Sequence, residues 1–234
     1  MIHLDNDDVL RLLSMADTMD ALRIGFDQLA SRDAAHVPRL ELWSPAERND
    51  AYHCLGAMSG TTKHFGISAL RIKSDVISWP EGRRQEKFAV EPGTYCGFVL
   101  LFSTDTGAPL ALINDGVLQR TRVGASAGIG IDHLANPGPA TVGILGAGDM
   151  ARVHLEAIAL IRPIERVSVY SPTRDNREAY AKEMSGRLRL DVTAVDTAED
   201  ATRGHSIISS STNSMVPTMR PEWIDDGATV VCVT

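Results

Sequence analysis

The stretch from Thr141 to Ala151 constrains the fold most, because an apolar run is followed there by the pattern G-x-G-x-x-A. Gly146 suits a tight turn, Gly148 lets a pyrophosphate approach the backbone, and Ala151 lets the next helix pack on the strand. The N-terminus of that helix would present N–H groups and a partial positive charge to the phosphates. The stretch therefore predicts a dinucleotide-binding turn, with a purely structural glycine-rich turn as the alternative. The predicted cofactor-binding residues of the turn are Gly146, Ala147, Gly148, Asp149, Met150 and Ala151.

The chain changes character at the proline- and glycine-rich turn signal of residues 136–139. Beyond it, strand patterns alternate with helix patterns, which is typical of a parallel sheet with right-handed crossovers. The predicted strands are residues 141–145, 166–170, 190–194, 206–209 and 229–233, and the predicted helices are residues 150–161, 175–185 and 199–203. Because a complete dinucleotide fold has roughly six strands, we expect residues 136–234 to form a Rossmann domain that is incomplete at its C-terminus.

The first part of the chain, residues 1–135, has a mixed pattern. Helical spacing over residues 5–30 predicts two helices that are broken near Asp17 and Thr18, with Thr18 capping the second. Strand patterns cover residues 52–58, 67–74 and 97–103, and residues 109–114 return from the last of these as a hairpin. Residues 120–132 are rich in Ala and Gly and predict a closely packed helix that links the two halves.

The residues after the second strand of the Rossmann pattern bear on the choice of cofactor. An NAD site usually has Asp or Glu there, but residues 170–174 contain no carboxylate. Ser171 and Thr173 can donate hydrogen bonds and Arg174 can pair with a 2′-phosphate, which favours NADP(H), with NAD(H) as the alternative. These residues would otherwise be a helix cap and a solvated arginine. Ser211 and Thr212 follow the fourth strand and would line the cofactor cleft, unless they belong to an ordinary polar loop.

Composition excludes several classes of protein. The chain has a net charge of −7 and no basic stripe, so we expect no nucleic-acid partner. No apolar run is long enough for a membrane span, and the first residues lack the layout of a signal peptide. The three cysteines and seven histidines show no ligand spacing, so no metal site is expected. We expect a cytoplasmic protein with a core of ordinary size, since 44% of the residues are hydrophobic.

Several short segments together resemble the ornithine cyclodeaminase/mu-crystallin family, and their order and spacing along the whole chain agree with it. They include Val37-Pro38-Arg39, the run Arg71-Ile72-Lys73-Ser74-Asp75, and the hairpin of residues 100–116 with its Thr106-Gly107 and Asp115-Gly116. The remaining two are the segment of residues 120–125, which contains Arg120 and Arg122, and the glycine-rich turn of residues 146–151.

The resemblance implies an α/β fold in which an N-terminal α+β domain, residues 1–135, binds substrate and forms a homodimer, and a Rossmann domain follows. It implies a small amino, imino or keto acid substrate and an NAD(P)H-dependent imine or ketimine reductase, or an amino acid dehydrogenase. Ornithine cyclodeaminase, which converts ornithine to proline and ammonia with NAD recycled, is the alternative, as is a non-catalytic protein that binds NADP(H) or a small ligand. By position, Arg39 and Arg122 match the arginines that hold a substrate carboxylate, and Lys73 matches the active-site lysine. Otherwise the arginines would lie at the surface or an interface, and Lys73 at a strand edge.

Overall fold

A computed structural model describes residues 1–80, 85–88 and 97–233. The chain divides into two compact units, Met1–Gln119 and Arg120–Thr234. The division falls inside a long helix, Asp115–Leu134, which ends just before the predicted domain boundary at residues 136–139. A physical reason is the packing of this helix within the second unit, where a Cβ on Gly124 would lie only 2.6 Å from the carbonyl oxygen of Val153.

The first unit combines short helices with a mainly antiparallel sheet. Its elements, in chain order, are β1 (Ile2–Leu4), α1 (Asn6–Leu12), α2 (Met15–Ser31), β2 (Ala34–His36), β3 (Leu40–Pro45), β4 (Ala51–Thr62), β5 (Ile67–Ser78), β6 (Glu86–Phe88), β7 (Gly97–Ser103), β8 (Pro109–Asn114) and the start of α3 (Asp115–Leu134). Within the described residues, eight strands form one sheet in the order β1-β8-β7-β5-β4-β2, with β3 paired to β4 and β6 paired to β5.

The predicted strands of this unit are present, and two of them are longer than predicted. β4 and β5 each run for 12 residues, and they pair along their whole length in antiparallel register. β7 has the predicted bounds, and β7 and β8 form the predicted hairpin, with Gly107 at φ 69° in its turn. The segment of residues 89–96, and with it Cys96, lies outside the described residues.

The predicted break between the first two helices is wrong by a few residues. The chain leaves helical geometry at Leu13 and Ser14, and Ser14 caps α2 by accepting a hydrogen bond from the Asp17 N–H at 3.1 Å. Thr18 lies inside α2, where it is buried and donates a 2.7 Å hydrogen bond to the Ser14 carbonyl. Serine is as good an N-cap as threonine, and its extended backbone fits the cap position.

The second unit is an open parallel sheet with helices between its strands. Its elements after α3 are β9 (Ala140–Leu145), α4 (Asp149–Ile161), β10 (Ile164–Tyr170), α5 (Arg174–Leu188), β11 (Val192–Ala194), β12 (Ile207–Ser211), a 3-10 turn (Pro221–Trp223) and β13 (Thr229–Val233). The strand order is β11-β10-β9-β12-β13, and every pair is parallel. The direction of winding reverses between β9 and β12, the position at which ligands bind in such sheets.

The core of the second unit explains why the sequence pattern was clear. β9 contributes Val142 and Ile144, and α4 contributes Leu155 and Ile158, all completely buried. Continuous apolar strands of this kind are typical of a sheet that is covered on both faces. The predicted helix over residues 199–203 is wrong, because these residues form turns that end at Gly204 with φ 70°.

Candidate functional site

The glycine-rich turn joins β9 to α4 with the backbone geometry that its sequence requires. Gly146 has φ 104°, a conformation that favours glycine, and its N–H donates to the Tyr170 carbonyl at 2.8 Å. A Cβ on Gly146 would collide with the carbonyl oxygen of Ser211, and the nearest side-chain atom would be Thr212 Cγ2 at 3.4 Å. The structure therefore brings together Gly146, Ser211 and Thr212 at the carboxyl ends of β9 and β12.

The first turn of α4 fits a phosphate group. Gly148 is the N-cap, no side chain caps it, and no protein atom lies within 4 Å of the position that its Cβ would occupy. Such a backbone lets an anion approach the helix N-terminus. Asp149 adds a negative charge there, but Arg120 of α3 donates a 3.0 Å hydrogen bond to its carboxylate and offsets that charge. The residues of this turn are thus suited to the pyrophosphate of a dinucleotide.

The remaining residues of the turn support its shape. Ala151 is completely buried, and its carbonyl accepts a 2.9 Å hydrogen bond from the Tyr180 hydroxyl of α5. Met150 is half-buried. The Ala147 carbonyl accepts a 2.9 Å hydrogen bond from Arg152, whose guanidinium also pairs with Glu183 at 2.7 Å. The sequence analysis did not identify Arg152, although it directly follows the motif.

The predicted cofactor-selecting residues lie at the end of β10 and the start of α5. Ser171 is buried, and Thr173 occupies the N-cap position of α5 without a side-chain capping hydrogen bond. Arg174 is in the first turn of α5 with a 76% exposed side chain, and it pairs with Glu178 at 2.7 Å. An exposed pair of this kind contributes little stability, so the guanidinium can exchange it for a stronger anion.

A second arginine of α5 was missed by the sequence analysis. Arg177 is buried, and its guanidinium donates to the Ser171 carbonyl at 3.1 Å and to Asp196 at 2.5 Å. Through the Ser171 carbonyl it therefore holds the backbone of the predicted cofactor-selecting residues in place. The helical spacing of Arg174 and Arg177 was the available signal, but burial of Arg177 depends on packing that a single sequence does not show.

A buried histidine lies behind the glycine-rich turn. His154 of α4 is completely buried, and its Nδ1 is 2.8 Å from Ser209 Oγ and 3.4 Å from Ser211 Oγ. Among the described residues, its Nε2 has no hydrogen-bond partner. Burial lowers the pKa of His154 from 6.5 to about 4, so the imidazole is neutral at physiological pH.

The first unit places Lys73 in a row of residues that crosses three strands. Glu41 of β3 is opposite Gly56 of β4, and Gly56 is opposite Lys73 of β5. The Lys73 Nζ donates to Asp75 Oδ2 at 3.1 Å and lies 3.3 Å from Glu41 Oε1. Only 13% of the Lys73 side chain is exposed. The ammonium group is therefore held between two carboxylates on a largely covered face of the sheet.

Arg39 belongs to the same charged group. It lies just before β3, and its guanidinium donates to Glu41 Oε1 at 3.3 Å. Burial raises the pKa of Glu41, but the hydrogen bonds and positive charges of Lys73 and Arg39 outweigh it and hold that pKa below its usual value. The structure thus brings Arg39 and Lys73 together through Glu41, which the sequence analysis did not identify.

A second ion pair supports this group from β5. Arg71 donates to Asp115 Oδ2 through Nε at 2.7 Å, and its Nη2 lies 2.6 Å from the same oxygen. Asp115 is 1% exposed and begins α3. Breaking such a buried pair is costly because it leaves an uncompensated charge.

The third predicted substrate residue, Arg122, belongs to the second unit. It lies on α3 and is half-buried, and its carbonyl accepts a 2.9 Å hydrogen bond from Ser126. A cavity of about 300 Å³ in the first unit contains none of the predicted site residues; its lining includes His36, Val37, Ser59, Leu70 and Phe102. Unlike this cavity, the charged group around Lys73 offers oriented polar atoms to a ligand.

The part of the chain that the structure describes contains neither a helical membrane span nor a metal-binding cluster. None of its helices is long and apolar enough to cross a membrane. In residues 1–80, 85–88 and 97–233, no group of three or more histidine, cysteine, aspartate or glutamate side chains is arranged to hold a metal ion.

Comparison with known proteins agrees with this geometry. The family model of the ornithine cyclodeaminase/mu-crystallin family matches residues 2–234. The Delta(1)-pyrroline-2-carboxylate reductase of Bacillus cereus is 30% identical over 152 residues, which are 65% of this chain and 45% of that protein. The ketimine reductase mu-crystallin of Rattus norvegicus is 30% identical over 135 residues, or 58% of this chain and 42% of that protein. The matched segments therefore make up less than half of these relatives.

A solved structure matches over the whole chain. It is the Delta(1)-pyrroline-2-carboxylate reductase of Thermococcus litoralis in complex with NADH and L-proline, with a TM-score of 0.83 and 25% sequence identity. The match covers 100% of this chain and 68% of that one. The α/β architecture with its Rossmann-like sheet is thus shared with a dinucleotide-binding enzyme.

The low pKa of His154 predicts a pH dependence of stability. Between pH 6.5 and about 4 the imidazole binds a proton in the unfolded chain but not in the folded one, so the free energy of unfolding falls as the pH is lowered through this window. Its share of the loss is at most about 3 to 4 kcal/mol, at about 1.4 kcal/mol per pKa unit. Burial of His205 lowers its pKa and acts in the same direction.

Urea unfolding at pH 7 and pH 4.5 measures this effect. The variant His154→Asn should lose less stability between the two pH values than the wild type does. His133→Asn, a change at an exposed histidine of α3, should behave as the wild type. An equal loss in the wild type and in His154→Asn would contradict the assignment.

Proposed function

Because the chain belongs to the ornithine cyclodeaminase/mu-crystallin family, we propose that it is an NAD(P)H-dependent reductase of imines or ketimines, acting on a small acid with a carboxylate beside its C=N bond. The observation that carries this proposal is the Lys73 ammonium group, held by Glu41 and Asp75 within a charged group that includes Arg39. A dinucleotide turn alone would fit many dehydrogenases. The lysine and arginine together select a substrate that has both a carboxylate and a basic nitrogen.

The chemistry follows from the properties of these side chains. Arg39 of the first unit binds the substrate carboxylate, since a guanidinium can donate two parallel hydrogen bonds to it. For Arg122 of the second unit, carboxylate binding stays a prediction from the family resemblance. Lys73 gives a proton from Nζ to the imine nitrogen and regains one from water. When bound, NAD(P)H supplies the hydride that the imine carbon receives. The C=N bond thereby becomes a C–N single bond, and both added hydrogens are accounted for.

The names of the relatives favour reduction over the alternatives. Delta(1)-pyrroline-2-carboxylate is a cyclic ketimine with a carboxylate, and mu-crystallin is named as a ketimine reductase. The carboxylate and the C=N bond of Delta(1)-pyrroline-2-carboxylate are the two groups that the charged residues of the first unit suit. Cyclic ketimines of this kind are therefore the substrates to test first, with ornithine as the comparison.

For the cofactor we propose NADP(H). Residues 170–174 contain no carboxylate that would accept a hydrogen bond from the ribose 2′-hydroxyl of NAD. Ser171 and Thr173 supply hydroxyl groups, and the exposed guanidinium of Arg174 can pair with a 2′-phosphate. Ser211, Thr212 and the residues of the turn, 146–151, would complete the site.

We also propose that the N-terminal part binds substrate and forms a homodimer, and that residues 136–234 bind the dinucleotide. Support for the dimer comes from the sheet face opposite Lys73. There, Leu40, Leu42, Leu55 and Phe98 are 62%, 59%, 40% and 45% exposed. The register places them side by side, because Leu42 is opposite Leu55, and Leu40 and Phe98 lie in one row across β3, β4, β5 and β7. A contiguous apolar patch of this kind is typical of an interface.

The activity has a direct test. Purified protein should oxidise NADPH when Delta(1)-pyrroline-2-carboxylate is added, and Lys73→Ala should lower kcat by about a hundredfold or more, because the proton donor is removed. The matched control is Lys63→Ala, a lysine that is 78% exposed in the turn between β4 and β5. Absorbance at the NADPH band reports the rate. Ammonia release from ornithine without net NADH formation would instead indicate a cyclodeaminase. If the protein catalysed neither reaction, the result would indicate a non-catalytic binding protein.

Cofactor choice is tested by titration of protein fluorescence with NADPH and NADH. NADPH should bind more tightly, and Arg174→Ala should raise its Kd by about tenfold, the equivalent of one lost charge-assisted contact of about 1.4 kcal/mol, with little change for NADH. Lys182→Ala, an exposed lysine of the same helix, serves as the control. Tighter binding of NADH by the wild type would overturn the preference.

The dimer is tested by light scattering during size-exclusion chromatography. The wild type should elute with twice the mass of the chain, and Leu42→Glu should elute as a monomer, because a charge in an apolar interface is not solvated. Leu10→Glu on α1 changes a leucine that is 56% exposed and should remain dimeric. A monomeric wild type would remove the proposal.

A further inference from the structure

Three neighbouring strands place one charged row around a glycine. Glu41, Gly56 and Lys73 are consecutive partners across β3, β4 and β5. In antiparallel pairs, directly opposite residues have their side chains on the same face of the sheet. Glu41 and Lys73 therefore point to the same side, separated by the width of one strand.

The missing side chain of Gly56 lets these two groups meet. A Cβ at this position would lie 2.6 Å from Lys73 Cε and 2.9 Å from Lys73 Cγ. The aliphatic part of Lys73 thus lies across β4, in the space that any other residue would fill. Without that space, the ammonium group would not reach Glu41 on the far strand.

Two carboxylates then fix the direction of the ammonium group. Glu41 lies 3.3 Å from it and Asp75 accepts a hydrogen bond at 3.1 Å. An ammonium group has three N–H donors. Among the described residues, Glu41 and Asp75 are the only polar partners of the Lys73 ammonium group. The two carboxylates thus restrict the orientation of the ammonium group.

We propose that Glu41 is a positioning residue for Lys73, and that the opening left by the missing side chain of Gly56 lets the two side chains meet. The proposal rests on the proposed reduction of a C=N bond, in which Lys73 gives its proton to the imine nitrogen. Glu41 does not touch the substrate nitrogen. It holds the ammonium group in one orientation, so that Lys73 presents its proton from a fixed position.

Other charged and titratable groups lie around Lys73. Arg39 contacts Glu41, and Arg71 and Asp75 are on the same strand as Lys73. Cys54 of β4 and Lys87 of β6 are close enough for their pKa values to respond to its charge. Asp115 compensates Arg71 through their ion pair. Replacement of Glu41 by glutamine, which is isosteric, keeps all of these side chains and removes one negative charge, which both Lys73 and Arg39 contact.

The test compares Glu41→Gln with the wild type over a range of pH. We expect kcat to fall by at least about tenfold while KM changes less, because positioning of a proton donor contributes to the chemical step. The high-pH limb of the kcat profile should move to lower pH by about half a unit or more, because a neighbouring negative charge is removed. The same substitution at the exposed Glu47, Glu47→Gln, should leave both unchanged.

A second variant tests the opening itself. Gly56→Ala should fold, since the colliding atoms belong to a flexible side chain, but it should displace Lys73 and lower kcat as Glu41→Gln does. Gly25→Ala on α2, where no atom lies within 4 Å of the new Cβ, is the control and should keep full activity.

A readout without substrate separates this proposal from the proposed function. Acetic anhydride acylates neutral amines, so peptide mass spectrometry can follow the labelling of Lys73 at fixed pH. Labelling should be at least about twofold faster in Glu41→Gln than in the wild type, as for a shift of a few tenths of a pH unit. Equal labelling rates and an unchanged pH profile would overturn the role of Glu41. Faster labelling in a protein that shows no reductase activity would overturn only the proposed function.

Discussion

Close approach of the backbone to other groups, at positions where a side chain would not fit, is the constraint on which both halves of the molecule depend. At Gly146, the carbonyl of Ser211 occupies the space of a Cβ, so β9 and β12 meet at the nucleotide turn. At Gly56, the aliphatic part of Lys73 does the same, so a lysine on β5 reaches a glutamate on β3. In each case the absence of one Cβ determines which functional groups are neighbours.

In both units, the charged residues of the candidate site are balanced by neighbouring residues of opposite charge. Arg120 offsets Asp149 at the start of α4, so the helix N-terminus stays suited to an anion. In the first unit, two carboxylates offset Lys73, and Asp115 offsets Arg71. Arg39, half exposed beside Glu41, is the residue that we propose to pair with a substrate carboxylate. These ion pairs offset the desolvation cost of the buried and partly buried charges.

The second unit could be predicted from the sequence far better than the first. Strands such as β9 are apolar throughout and follow one another with helices between them, so local pattern and topology agree. In the first unit, Glu41, Gly56 and Lys73 are far apart in the chain and meet only through the register of β3, β4 and β5. Register depends on long-range pairing, and a shift of one residue would move each side chain to the other face. The one local signal was the spacing of Arg39 and Glu41, which are two residues apart and would lie on the same face of a strand. A smaller error was the helix cap, which is Ser14 and not the predicted Thr18. Serine and threonine both suit the N-cap position, so the sequence alone does not distinguish them.

The central claim is that these residues transfer hydrogen to a C=N bond beside a carboxylate. It is tested most directly by incubating the protein with Delta(1)-pyrroline-2-carboxylate and NADPH that carries deuterium at its transferable position. Mass spectrometry then locates the label in the product. The account predicts proline with deuterium on its α-carbon, formed by the wild type and lost in Lys73→Ala. Proline without deuterium, or no proline from a protein that binds both compounds, would contradict it.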